Sequence, residues 1–304
     1  MPGFQSVLKK REVKKFKNRT SFYPMHPAKT SRGTRVITIT VSDRIITLTT
    51  DFGLKDPYVA EMKAAILGIS PASTLVDITH EIEKFNIRMG AFVLSCAANY
   101  FPNGTIHVAV VDPSVGTRRR PVLIETKRGF FIGPDNGVLL LAAEKDGIKT
   151  FREITKQHLM LPEVSNTFHG RDVFAPAAAH LASGVETKEF GPELSEIFRP
   201  LFARVTNEKG VLTGQILYLD DFGNIITNIT LAQMAHLGSP NQLKIGLGHR
   251  VLELKFRKTY GEAESNEALA LIGSHTYLEI AVNQGNAVEE FKVKTGDRIA
   301  VSAR

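Results

Sequence analysis

Residues Ile106–Pro121 read IHVAVVDPSVGTRRRP. Val108, Ala109, Val110 and Val111 run without a polar break into Asp112. Pro113, Ser114 and Gly116 then precede three consecutive arginines, Arg118 to Arg120. A continuous apolar, mostly β-branched run bounded by turn formers is the pattern of a strand buried on both faces. In open α/β sheets the ligand crevice lies beyond the carboxyl ends of such strands. Asp112 falls where that strand would end, and Arg119 follows after a Gly-containing loop. A carboxylate and a guanidinium brought there can hold and polarise a small polar reactant. The same residues would also serve as a strand cap and a solvated basic turn.

Working outward, strands and helices alternate. Upstream, Ile45–Thr49 reads as a strand entering Thr50, Asp51, Phe52 and Gly53. Pro57–Ile69 reads as a helix with Asp56 as its N-cap, and Leu75–Ile78 as a strand with His80 just beyond. Phe85–Tyr100 has helical amphipathicity. Downstream, Val122–Glu125 and Phe130–Ile132 are expected strands, and Pro134, Asp135, Asn136 and Gly137 open a helix at Val138–Glu144. After a polar loop, Thr167–Phe168–His169–Gly170–Arg171–Asp172 leads into an alanine-rich helix ending near Leu181. This alternation predicts a layered α/β domain over about 36–190. Polar residues collect at its strand ends and in the loops beyond: Asp51, Asp56, Asp112, Arg119, Asn136 and His169.

Pro192 and Pro200 flank a change of character. The rest reads as strands at Gly214–Leu219, Ile225–Ile229, Gln242–Ile245, Val251–Phe256, Leu269–Ile272, Tyr277–Val282 and Arg298–Ser302. A small all-β, barrel-like domain over 191–304 is expected. Asp220 and Asn224 fall in a turn, where such residues are often structural, and Ser274 after Gly273 has the same alternative.

Composition narrows the function classes. The chain of 304 residues, 43% hydrophobic and 23% charged, is that of an ordinary globular protein. No run approaches the roughly 18 apolar residues of a spanning helix. Cys96 is the single cysteine, which excludes an intramolecular disulfide and multi-cysteine zinc sites and fits a reducing, cytoplasmic setting. The net charge of +7 is unevenly placed. Residues 1–35 hold ten lysines and arginines against Glu12 alone, so the body is close to neutral. The basicity belongs to a tail for which disorder is expected, and nucleic-acid contact is expected, if anywhere, only through that tail. There is no GxxxxGK[ST] phosphate loop and no HExxH. Two Asp-Phe-Gly triplets, at 51–53 and 221–223, lack the rest of the kinase set.

Taken together, seven segments resemble the S-adenosylmethionine (SAM) hydroxide adenosyltransferases, the adenosine-forming SAM hydrolases related to fluorinating and chlorinating enzymes. They are TLTTDFGLKDPYVAEMK (47–63), VDITHEI (76–82), VAVVDPSVGTRRRP (108–121), GPDNGVL (133–139), NTFHGRDVFAPAAA (166–179), DDFGNIITNI (220–229) and GSHTYLEIAVNQG (273–285). The resemblance spans about 44–304. It implies an α/β domain with a mixed sheet and flanking helices, followed by a β-barrel-like domain, and hydrolysis of SAM to adenosine and methionine by attack of water at the 5′ carbon. The family's Asp–Arg–His set falls on Asp112, Arg119 and His169. Tyrosines replace both Asp112 and His169 in the fluorinating relatives, which points here to water rather than halide.

For substrate binding the resemblance implies Asp51 at the ribose hydroxyls, and Asp56, Asp220 and Ser274 at the methionine ammonium and carboxylate. It implies Phe85 and Phe222 as flat walls, Asn224 and Gln284 at adenine, and Glu279 nearby. It implies no cofactor and no metal, and a homotrimer with sites at subunit interfaces. The alternatives are a halide-using SAM transferase and a non-catalytic module that senses SAM or adenosine, with an RNA-binding tail.

Overall fold

The computed structural model describes residues 44–238, 240–248 and 250–304. The basic segment 1–35, with the expectation of disorder, lies outside the described residues. Six strands form one mixed sheet: β1 (Ile45–Thr50), β2 (Thr74–Thr79), β3 (Ile106–Val110), β4 (Pro121–Thr126), β5 (Phe130–Pro134) and β6 (Ile148–Glu153). Their spatial order is β2-β1-β3-β5-β4-β6. β1, β2, β3 and β5 are parallel, while β4 runs against both β5 and β6.

Every residue of β3 is buried, because helices cover both faces of the sheet. Val108 and Val110 pack into the core beneath α1 (Tyr58–Ile69) and α4 (Ala175–Ala182). Ala109 and Val111 pack into the opposite core, with α2 (Ile87–Ala97) and α3 (Leu140–Asp146). The register pairs Thr50 with Val110. Asp51 and Asp112 therefore leave neighbouring parallel strands at the same edge of the sheet.

Several boundaries differ from the expectation for local reasons. Asp56 does not cap α1: the cap position is Pro57, with no side-chain hydrogen bond, and Asp56 is exposed. α2 begins at Ile87 rather than Phe85, because Asn86 Oδ1 accepts the Met89 N–H and Phe85 has a positive φ of 66°. The third helix starts at Leu140, since Asn136 gives its side chain to Val111 O and Val138 N. Part of the expected polar loop is β6, an edge strand whose alternation IKTFRE is too polar to stand out.

All seven strands expected in the second domain are present: β8 (Val211–Leu219), β9 (Ile225–Thr230), β10 (Gln242–Leu247), β11 (Arg250–Arg257), β12 (Ala268–Ile272), β13 (Tyr277–Val282) and β14 (Arg298–Ala303). They close into a barrel through the β14–β8 pairing, and a short β7 (Thr206–Glu208) is added beside β8. Only β11–β12 is a parallel pair within it. Inward-facing Leu212, Ile216, Ile225, Ile245, Ile280 and Val301 fill the barrel. A separate apolar cluster, with Phe92 of α2, Phe202, Leu217, Ile226 and Tyr277, joins it to the α/β layer. No helix among the described residues is long and apolar enough to cross a membrane.

Asn228 fixes the connecting segment to the barrel. Its Nδ2 donates to Phe202 O and Arg204 O, both at 2.9 Å, and its Oδ1 accepts the Gln215 N–H at 2.8 Å. Asn228→Ala leaves three main-chain groups, one in a buried bond and two in partly buried ones, without this partner, at up to about 1–3 kcal/mol each. The expected outcome is a loss of roughly 3 kcal/mol in urea unfolding with an unchanged m-value. A change within experimental error would show that water replaces the amide without cost.

Candidate active site

The edge where β1 and β3 end opens into a cavity of about 470 Å³, lined by Asp51, Phe52, Tyr58, Phe85, Asp112 and His169 among others. Asp112 follows β3 by two residues, and its position is set from outside the strand: Asn136 Nδ2 donates to Val111 O at 2.8 Å. The next loop returns Arg119. Arg119 Nε donates to Asp112 Oδ2 at 2.8 Å, Nη2 donates to the same oxygen, and Nη2 also meets His169 Nδ1 at 2.8 Å. Both members of the ion pair are nearly shut off from solvent, with the Arg119 side chain 7% and the Asp112 side chain 5% exposed. The guanidinium lies 5.2 Å from the centroid of the Phe174 ring, a cation–π contact on a fully buried aromatic.

The other two arginines of the run have different fates. Arg120 clamps Asp135, whose Oδ1 accepts the Phe198 N–H, and Arg118 is exposed. Charge count in the sequence could not separate these three; only the path of the loop does. That path needs Gly116, whose φ is +76°. A Cβ there would collide with the Asn166 carbonyl oxygen, so the glycine lets loop 112–119 lie against loop 163–169.

His169 comes from a π-helical turn, Gly170–Phe174, that leads into α4. Such turns are rare and recur at functional sites. Asp172 Oδ2 accepts the Ser165 N–H at 2.8 Å and tightens the loop below the imidazole. Burial pushes the His169 pKa below its ordinary value and the Arg119 charge pushes it further, while Asp112 and Asp172 oppose the shift. His169 is therefore neutral near pH 7. An arginine can only donate, so His169 Nδ1 accepts from Arg119 and the ring proton is assigned to Nε2.

Asp51 is buried, and its Oδ2 accepts the Phe85 N–H at 2.8 Å, which leaves Oδ1 open to the cavity side. The exposed Phe85 ring forms one wall. Asp56 lines neither this cavity nor the one on the barrel.

The barrel residues assemble separately. Asp220, Phe222, Asn224, Ser274, Glu279 and Gln284 share a second cavity of about 680 Å³ that has no lining residue in common with the first. Asp220 accepts from Phe222 N, Asn224 N and Asn224 Nδ2, so it holds its own turn as well as facing the cavity. Phe222 is highly exposed at the tip of this turn. Gln284 has a φ of 58° and accepts from Ser265 Oγ, and Ser274 is exposed.

Glu279 is buried, where it accepts a hydrogen bond from Tyr260, and burial raises its pKa. Tyr260 is one of several lining residues, with Phe92, Tyr218, His275 and Asn283 among them, that the sequence did not single out. An aromatic in a loop of charged and small residues was its only signal. Tyr58 and the Arg171–Glu61 ion pair, with Nη1–Oε2 at 2.7 Å, complete the rim of the first cavity.

A two-domain chain, in which a mixed α/β sheet presents a buried carboxylate–guanidinium–imidazole set and a closed barrel presents a second polar cleft, defines an architectural class shared with known enzymes. The chain belongs to the SAM hydroxide adenosyltransferase family: residues 46–191 match its N-terminal domain and residues 214–300 its C-terminal domain. It is 38% identical over 267 residues to a protein of Methanocaldococcus jannaschii named (R)-S-adenosyl-L-methionine hydrolase, covering 84% of this chain and 95% of that one. A fluorinase of an Actinoplanes species is 29% identical over 289 residues, covering 85% and 97% of the two chains. A crystal structure of an uncharacterized conserved protein from Thermotoga maritima superposes with a TM-score of 0.74 at 37% identity, covering 84% of this chain and 99% of that one.

The charge state of His169 gives a pH prediction. Its folded pKa lies below 6.5, so between pH 6.5 and 8 the neutral ring persists and activity attributable to it is flat. Acidification through the depressed pKa protonates Nδ1, breaks the Arg119 contact and sets two cations together. Turnover should therefore fall only on the acid side of pH 6.5. Asp112→Asn removes a neighbour that favours the charged ring, so imidazole titration followed by NMR should move lower still. A shift upward would contradict the assigned coupling.

Proposed function

We propose that the chain hydrolyses SAM to adenosine and methionine, with Asp112, Arg119 and His169 handling the attacking water. The observation that carries this reading is the buried Arg119, shared between Asp112 Oδ2 and His169 Nδ1 beside the cavity that Asp51 and Phe85 line. In the reaction a water oxygen attacks the 5′ carbon in line with the carbon–sulfur bond. The O–C5′ bond forms, the C5′–S bond breaks, and methionine leaves as a neutral thioether. Its sulfonium parent is already a good leaving group, so the difficulty lies with the nucleophile, because bulk water has a pKa near 15.7.

The hydrogen-bond pattern divides the labour. Asp112 Oδ1 has only a 3.3 Å contact from Ser114 Oγ, so it is the oxygen with room to accept the water proton, which later passes to solvent. His169, with Nδ1 already taken, offers Nε2–H as a donor that orients the oxygen and stabilises developing hydroxide. Arg119 supplies fixed positive charge in a site where charge is poorly screened. A halide would have to sit beside the Asp112 carboxylate, which disfavours a halide transferase. A sensor of SAM would have no use for a buried water-activating set. We assign no metal or other cofactor to the reaction, because Arg119 already supplies the positive charge beside the attacking oxygen.

Asp51 is assigned to the ribose hydroxyls, Asn224 and the Gln284 segment to adenine, and Asp56, Asp220 and Ser274 to the methionine end. Since the two cavities of one chain share no residue, a substrate touching both sets is supplied with its second half by a neighbouring subunit. A head-to-tail contact of this kind closes into a ring, and we assign a homotrimer.

Incubation with SAM in chloride buffer should yield adenosine and methionine, no 5′-chloro-5′-deoxyadenosine, and no loss of rate with EDTA. Chromatography that finds the chlorinated nucleoside, or activity restored by a metal after EDTA, would overturn the reading. Asp112→Asn should lower kcat by about 100- to 10,000-fold, whereas His169→Gln, which keeps an N–H near the Nε2 position, should lose far less. The reverse order would make His169 the proton acceptor. Mixing inactive Asp112→Ala and Asn224→Ala proteins under subunit exchange should regain activity, because some interfaces pair two intact halves. No recovery despite demonstrated exchange would mean that each chain completes its own site.

A further inference from the structure

The segment Val76–Ile82 contains His80, which takes no part in the chemistry above. It is 3% exposed and lines neither cavity. His80 Nδ1 is hydrogen-bonded to Thr50 Oγ1 at 2.8 Å, and Thr50 is fully buried. The same hydroxyl accepts the Phe52 N–H at 3.2 Å. On its other side His80 Nε2 lies 3.1 Å from Asp77 Oδ1, and Asp77 Oδ2 accepts from Lys63 Nζ at 2.6 Å. The main chain repeats the link, as Gly53 N donates to His80 O at 2.8 Å.

The Thr50 hydroxyl accepts from Phe52 and, with the imidazole proton placed on Nε2 on the Asp77 side, donates to Nδ1; the Nε2–Asp77 contact is a close approach whose geometry falls short of a hydrogen bond. Residues on both sides of Asp51, namely Thr50, Phe52 and Gly53, are thereby tied to one buried imidazole residue. Among the described residues the Asp51 carboxylate receives only the Phe85 N–H, while the Asp51 main-chain oxygen accepts from Lys84 Nζ. Phe85 has the positive φ noted above, so that donor also comes from a constrained backbone.

We propose that His80, acting through Thr50, is a positioning residue that fixes Asp51 for recognition of the cis-diol of the nucleoside substrate. This rests on the assignment of Asp51 to the ribose hydroxyls. A carboxylate that must meet two adjacent hydroxyls at once tolerates an error of only about 0.5 Å, and a turn free to rock about Thr50 does not hold that tolerance. The Thr50–His80 chain supplies the rigidity from a place that the substrate never touches.

The test compares kcat and KM for SAM and for its 2′-deoxyribose analogue. Thr50→Val keeps shape and removes the hydroxyl, while Thr50→Ser keeps the hydroxyl. His80→Gln loses the group that meets Thr50, while His80→Asn keeps a polar atom near the Nδ1 position. Thr50→Val and His80→Gln should each lower the preference for the ribose substrate about tenfold, as expected for loss of one buried hydrogen bond. The change should appear in KM, with kcat at saturation within about twofold, and Thr50→Ser and His80→Asn should recover most of it. Asp51→Asn is the control. If it leaves the preference intact, the assignment of Asp51 fails. If it abolishes the preference while Thr50→Val and His80→Gln leave it untouched, the role of His80 fails. A uniform loss of kcat in all four variants, matched by their loss of Tm, would make the chain merely structural and would also overturn the proposal. Should Thr50→Val not fold, the His80→Gln and His80→Asn pair carries the same comparison.

Discussion

A guanidinium buried at the end of a parallel strand is the constraint on which the site depends. Taking a charge out of water costs several kcal/mol unless it is paired and hydrogen-bonded. Arg119 meets that demand with Asp112, His169 and the Phe174 ring. The partners come from two parts of the chain: a strand end, and the N-cap and last residue of one π-helical turn. The pair can form only if two loops touch, which is why Gly116 lies against Asn166. It also needs the peptide before Asp112 to be held still, which Asn136 does. Much of the polar hydrogen bonding at this edge of the sheet thus serves to keep one cation dry.

The same pairing sets the protonation states. With Arg119 donating to Nδ1, a neutral His169 is a donor at Nε2, and burial together with the nearby cation keeps it neutral. Asp112 has one oxygen committed to Arg119 and the other lightly used. As proposed, an acceptor oxygen and an N–H donor, held on either side of one cation, divide proton acceptance from hydroxide stabilisation. In the proposed reaction the protein adds little else at the reacting carbon, because the sulfonium brings its own leaving group.

A second organising feature is the separation of polar groups between sheet and barrel. The α/β edge gathers Asp51, Phe85, Asp112 and His169, and the barrel gathers Asp220, Asn224, Glu279 and Gln284. Within one chain the domains meet through an apolar contact around Phe92 and Phe202, and neither cavity is built from both polar sets. Sharing of sites between subunits, as proposed, would follow from that arrangement, and the exposed Phe222 would then find a partner.

The order of secondary structure could be read from the sequence, because burial on two faces, helix amphipathicity and turn residues all leave local periodic signals. The strand at 106–110, the alternation around it and all seven barrel strands follow from such patterns. β6 escaped because an edge strand need not be apolar. Asp56 misled because a preferred capping residue still needs the right backbone angle. Of the site, the motifs carried Asp112, Arg119 and His169, but nothing local distinguished Arg119 from Arg118 and Arg120. Tyr260 and the Thr50–His80 link were likewise out of reach. Those facts depend on distances between residues 19 to 50 positions apart. A one-dimensional pattern records which groups want burial or a turn. Which donor finally faces which acceptor is decided only when the strands, in register, bring their ends to one edge.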